Sequence, residues 1–230
     1  MKEKKRVFPC ELAYVLGLLT LGFSTALMEA ADFGVSMVVA PAYLLHLKIS
    51  EYLPFFTFGM AEYTLQAVLL IALGLLMRRF KISYLFSFVT AVLYGVVLDG
   101  AMLLVALIPA GQIMVRVAMF VIGAVFCALG VSLFFHTYIS AEAYELFVKE
   151  LSAKYQTDIG KFKTVYDVVS CLVSVALSFA FFGLFRFEGV KIGTVICAAL
   201  NGSMIGGFSR LLNRLFSFED RLPLRGFFEK

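Results

Sequence analysis

Six apolar blocks separated by short polar seams dominate the chain, at roughly residues 11–31, 56–77, 84–107, 113–135, 165–185 and 192–212. Each is long enough to cross about 30 Å of hydrocarbon as a helix. Lipid offers no partner for a free backbone N–H or C=O, so every block is predicted to be helical throughout. Two of the seams carry patterns of their own. Residues 33–55 are too few to cross again and too apolar (VSMVVAPAYLLHL) for a plain loop, which predicts a re-entrant or interfacial helix bent at Pro41. Residues 140–155 set Ala143, Leu146, Phe147, Val148 and Leu151 against Glu142, Glu145, Lys149 and Glu150. That amphipathic set predicts a second short helix, lying at the cytoplasmic interface.

The first block ends in LGFSTALMEAADFGVS, where Gly22, Thr25, Glu29 and Asp32 recur at helical spacing and share one small, polar face. Leu21-Gly22-Phe23-Ser24 is echoed 108 positions later by Leu129-Gly130-Val131-Ser132. The same order of elements then recurs, with Phe58-Gly59 matching Ile159-Gly160 and Phe80-Lys81-Ile82-Ser83 matching Val190-Lys191-Ile192-Gly193. Residues 1–110 and 111–230 therefore read as two halves of three spans each. An odd number of spans makes the second half enter from the opposite face. The expected fold is all-α: six transmembrane helices as two inverted three-helix repeats, with short interfacial or re-entrant helices after spans 1 and 4.

Composition agrees, since 61% hydrophobic and 16% charged residues at a mean hydropathy of +0.93 leave too little polar surface for a soluble domain. Of the 20 Lys and Arg residues, all but Lys48, Arg116, Arg186 and Lys191 fall on the side of the amino terminus. The positive-inside rule then predicts a multi-pass plasma-membrane protein with both termini cytoplasmic. Because these cations flank apolar runs and do not interleave with aromatics on one element, no nucleic-acid partner is expected; the bilayer is the expected surroundings. MKEKKR before an apolar run has the look of a secretory signal. The run continues for a full span and is echoed later, so it is expected to be span 1. Cys10, Cys127, Cys171 and Cys197 stand singly, so neither a disulfide framework nor a thiolate metal site is expected.

The LGFSTALMEAADFGVS run, the short helix after it, Phe58-Gly59 and the three-plus-three layout together resemble the YczE and YitT type of bacterial six-span membrane protein. The likeness covers nearly the whole chain and implies architecture only. YitT-type proteins add a soluble C-terminal domain, and this sequence ends at Lys230, which makes the YczE type the closer likeness. Its second half departs from the pattern, reading HTYISAEAYE where a glycine-rich turn is expected.

Ionisable groups within spans are costly and mark candidate sites. Glu62 shares a face with Gly59 and Gln66 in span 2, and Asp167 sits on a stripe with Lys163, Ser170, Ser174 and Ser178 in span 5. In an inverted pair these acids approach the middle from opposite sides, as a coupled cation or proton site requires; a structural Asp167–Lys163 pair is the plainer alternative. Glu29 and Asp32 read either as headgroup-level carboxylates or as the lining of an entrance. Gly34 and Ser36 suggest a turn opening a short helix whose amides suit an anion or carboxylate. Asp99 reads as interfacial, and Arg116 as either snorkelling outward or pairing with Asp99 or Asp32. In span 6, Ala198, Gly202 and Gly206 invite close approach of a neighbouring helix, and Asn201 beside them is a candidate for a polar cavity. His136 and His46 lack further ligands at metal spacing. No phosphate loop, nucleophile elbow, paired-histidine helix or dinucleotide fingerprint is present, so neither enzyme activity nor a cofactor is expected. The expected function is a small secondary transporter or permease for a small solute or ion. A solute-binding subunit with a separate energising partner, a homodimer, and a non-transporting accessory protein are the alternatives.

Overall fold

The computed structural model describes residues 6–140, 142–157, 159–184, 187–223 and 225. Among them are eight helices: α1 (Cys10–Ala31), α2 (Ala40–Ser50), α3 (Phe58–Met77), α4 (Ile82–Val105), α5 (Ile113–Phe134), α6 (Ala143–Lys154), α7 (Ile159–Phe182) and α8 (Ile192–Leu215). Six of them, all but α2 and α6, are long and apolar enough to cross a membrane, α7 from Val165 onward. The predicted spans are thus found, with α7 beginning in the polar stretch ahead of its apolar run. Strands β1 (Arg6–Pro9) and β2 (Phe216–Glu219) pair in parallel, with Arg6 opposite Phe216. They tie the start of α1 to the end of α8, which defines a near end of the bundle.

α1 and α5 form the central seam; α4 packs on α1, α8 on α5, and α3 on α4. The α3–α4 crossing is close because neither helix carries a side chain there. A Cβ on Gly95 would come within 2.7 Å of Gly59 O. The start of α3 is held by α4 as well: Asp99 accepts from Thr57 Oγ1 at 2.6 Å and from the Gly59 N–H at 2.8 Å. Asp99 is therefore a helix-capping group. α7 packs on the two short helices, α2 and α6, and barely touches α8 among the described residues.

The short helices differ from expectation in instructive ways. Pro41 falls in the first turn of α2, where a missing N–H costs nothing, so it starts the helix and does not bend it. The chain after α5 climbs back into the bundle. Tyr138 donates to Glu11 at the near end (2.8 Å), the Ser140 carbonyl accepts from Thr90 (3.0 Å), and the Ala143 N–H donates to Gln66 Oε1 (3.1 Å). Gln66 stands about 16 Å from the near end of α3 at about 1.5 Å per residue. α6 then descends alongside α3 until Lys154 donates to Leu76 O at 2.6 Å and Lys81 meets Glu150 at 2.7 Å. Its amino end lies deep in the bundle, so α6 is re-entrant and not flat on an interface. The reason is that Ala143, Tyr144, Val148 and Leu151 form a buried stripe that needs α3 and α4 to cover it.

Candidate functional site

Gly34 sets the first side of the site. With φ at +103° it takes a backbone conformation open to glycine, and a Cβ there would collide with Thr194 Oγ1. The turn is pinned to the far end of α8: Val35 donates to Gly189 O (3.1 Å) and its carbonyl accepts from Thr194 Oγ1 (2.7 Å). The Ser36 carbonyl then accepts from the Val39 and Ala40 N–H groups, and α2 begins. The second side is the amino end of α6, with Glu142 at its cap.

Both amino ends border one cavity of about 90 Å³, lined by Ser36 and Val39 on one side and by Glu142, Tyr144 and Glu145 on the other. A single water needs roughly 10–15 Å³ on this measure, so the space takes several water-sized groups. Ser24 and Thr25 of α1, Tyr94 of α4, Cys127 of α5, Lys163 of α7 and Asn201 of α8 complete its polar lining. Val131, Phe134 and Phe135 make the wall toward the near end apolar.

Behind the lining, Glu62 and Gln66 are both 0% exposed. Tyr144 donates its phenol hydrogen to Glu62 Oε2 at 2.8 Å, Gln66 Nε2 approaches the same oxygen at 3.4 Å, and Gln66 Oε1 receives the Ala143 N–H. These two span residues thus hold the re-entrant helix in place. Glu142 is 8% exposed, and burial, then the neighbouring Glu145 and Glu62, hold its carboxyl well above the usual carboxylate range. Among the described residues, neither Glu62 nor Glu142 forms an ion pair. Glu62 Oε1, Glu142 Oε1 and Asn201 Oδ1 are buried acceptors without a hydrogen-bond partner.

The remaining candidates separate into two groups. Asp167 pairs with Lys163 of its own helix (3.4 Å), and Lys163 also reaches Glu145 (3.7 Å), so the Asp167–Lys163 pair is present and linked to the cavity wall. Ser170 is buried, and its carbonyl accepts from Ser174 at 2.8 Å. At the far end Asp32 takes Arg116 at 3.0 Å and also Lys191, while Arg116 bonds the Ala31 carbonyl at 2.8 Å. Of the alternatives for Arg116, pairing with Asp32 is the one found. Glu29 receives Tyr43 at 3.4 Å. Asp32 thus fastens α1, α5 and the start of α8 together, away from the cavity. Ser36 and Asn201 line the cavity, Glu62 and Gln66 buttress it, and Glu62 and Asp167 each bond to partners other than one another. Among the described residues, the glycines of the α8 stripe have no close neighbour: a Cβ at Gly202, Gly206 or Gly207 meets nothing within 4 Å.

Ser24, Tyr94 and Tyr144 line the cavity without having been singled out by the sequence pattern, which had placed Thr25 on the polar face of span 1 and Glu142 and Glu145 only on the charged side of a short helix. The signal for Glu142, Tyr144 and Glu145 was present in HTYISAEAYE, whose departure from the first half supplies the acids of the cavity.

Residues 8–210 match the DUF6198 family, a family of unknown function. The chain belongs to that family. The DUF6198 match runs from β1 into α8 and so covers every wall of the cavity. No curated protein and no solved structure matches the chain.

Proposed function

We propose that this protein is a small secondary transporter or permease whose solute site is the cavity between the amino ends of α2 and α6. Six apolar helices suggest an integral membrane protein. The observation that carries the reading further is a cavity inside the bundle, largely apolar in its lining, that is bordered by a buried acid with an unpartnered oxygen. Leaving such groups unsatisfied costs stability, and buried acids of this kind cluster at functional sites.

Part of the packing supports the inverted repeat, although the α3–α4 crossing has no counterpart between α7 and α8 among the described residues. Exchanging α1 with α5, α2 with α6, α3 with α7 and α4 with α8 carries the α1–α4 seam onto α5–α8. It also carries the contacts of α2 with α3 and α7 onto those of α6 with α7 and α3. Sites where broken or re-entrant helices from two inverted halves meet are a recurrent transporter design. The basic residues gathered at the near end support cytoplasmic termini in a plasma membrane, and neither enzymatic chemistry nor a cofactor belongs to this reading. The YczE-type likeness fits it in layout.

The test is a screen of small metabolites and salts for a rise in melting temperature of the purified protein, followed by flux of each hit in proteoliposomes. A hit that is transported, with flux lost in the Glu62→Gln, Asp167→Asn double variant, supports the assignment. Absence of any hit and any flux overturns it, and full flux in the double variant removes Glu62 and Asp167 from the site. A solute-binding subunit is the second reading, favoured by the bare Gly202–Gly206–Gly207 face of α8. It predicts ligand binding without transport unless an energising partner is present.

A further inference from the structure

The groups left over at the cavity are all acceptors. Glu142 Oε1 and Asn201 Oδ1 both lack partners, and both residues line the space. Some of the donors that the two helix amino ends would otherwise present are spent on the protein itself. In α2 the Ala40 N–H goes to Ser36 O and the Tyr43 N–H to Val39 O, and Pro41 has none. In α6 the Ala143 N–H goes to Gln66. Beside the remaining amides stand the Glu142 and Glu145 carboxyls, which oppose an anion there although helix amino ends favour anions elsewhere.

The charge balance points the same way. The single cation on the lining, Lys163, is already shared by Asp167 and Glu145. Among the described residues Glu142 has no ion-pair partner, and Glu62 stands behind it through Tyr144. Groups facing Glu142 come from every surrounding element: Tyr14 of α1, Glu62 of α3, Tyr94 of α4, Cys127 of α5, Tyr144 and Glu145 of α6, and Lys163 of α7. Acids exceed cations in that set, and two acids so placed cannot both ionise without help.

We propose that the cavity binds a monovalent cation, inorganic or a protonated amine, in exchange for a proton carried by Glu142, with Asn201 Oδ1 as a second acceptor. This rests on the transporter reading and deepens it. With the cation absent, a proton neutralises the buried acid. When the cation enters, the proton leaves to water and the carboxylate takes the cation's charge, so the buried charge is the same before and after exchange. Glu62 holds Tyr144, and through it the wall on which Glu142 sits, and acts as a positioning residue.

The experiment uses the full chain in proteoliposomes loaded with a pH-reporting dye. Sodium, potassium, methylammonium and choline chlorides are added in turn, and then the sodium salts of several anions. The expected result is proton movement that depends on the cation, not on the anion, and is lost in Glu142→Gln. The inorganic and amine arms tell the two kinds of cation apart. In parallel, a hydrophobic carbodiimide, which modifies protonated buried carboxyls, is mapped on the unmutated protein. Labelling at Glu142 that the active cation slows supports the proposal without requiring the variant to fold. Proton movement that follows the anion, full exchange in folded Glu142→Gln, or no cation response together with unprotected Glu142 each overturn it. Solute flux without proton movement would leave the transporter reading standing and sink this inference alone.

Discussion

Tyr144, in the first turn of α6, donates its phenol hydrogen to Glu62 Oε2, about one turn into α3, across 2.8 Å. One contact therefore joins the re-entrant helix to a span, and it depends on residues 82 positions apart. Both are buried, at 2% and 0% exposure. Its loss would leave an acid oxygen in the interior without its nearest donor.

Tyr144→Phe is accordingly expected to destabilise the protein by about 1–3 kcal/mol, the usual penalty for orphaning a buried polar group. Thermal unfolding in detergent measures it. In Glu62→Leu, which removes the acceptor, the same Tyr144→Phe change is expected to cost less, and equal costs in both backgrounds would show that the bond contributes nothing.

The Glu142 carboxyl is raised by its surroundings. Its folded form therefore keeps a proton over a pH range in which the unfolded chain, with a value of about 4.3, has lost it. Within that range the native state binds more protons, so stability falls as pH rises. The favourable contribution is complete below the unfolded value and is lost on the way up to the folded one. Melting temperature recorded against pH should show this slope in the unmutated protein and a flatter one in Glu142→Gln. Parallel curves would contradict it.

Gly95→Leu is expected to abolish the monodisperse folded protein, because the Gly59 carbonyl occupies the space that a side chain needs. Gly206→Leu, with open space around it, should fold as well as the parent. Size-exclusion profiles of the two variants make the comparison. If Gly206→Leu shifts the elution volume of an otherwise intact protein, the bare face of α8 is an interface between subunits.

The Asp32 clasp is half-exposed, with the Asp32 side chain at 58%. Asp32→Asn should therefore change stability by less than about 1 kcal/mol, as exposed ion pairs do. Its effect is expected at the far end of the bundle. A cysteine placed at Ser36 should react faster with a membrane-impermeant maleimide in the Asp32→Asn background, and an unchanged rate would show that the clasp does not restrict access.

Much of the architecture could be read from residue order alone. Lipid forbids unpaired backbone groups, so an apolar block of sufficient length has essentially one solution. All six spans follow from that constraint, while the two short helices were legible in apolar and amphipathic patterns too short to cross and Glu62 as an interior acid in the cost of charge within a span. Local readings also located Asp167 beside Lys163, since four residues along a helix is a fixed geometry. Pairings between distant segments were beyond this reasoning. Nothing in a one-dimensional pattern says that α6 climbs to Gln66, that Asp32 is bound by both Arg116 and Lys191, or that the small residues of α8 face no helix.

The sequence by itself determined the membrane-crossing helices, their number and the scarce polar groups inside them, because hydropathy and helical period act over neighbouring residues. Only the tertiary structure decided which of those groups share a cavity. That choice depends on how deep each re-entrant helix sits and which side chains its burial leaves without partners, a balance set by contacts between segments far apart in the chain, such as Val35 with Thr194 across 159 positions.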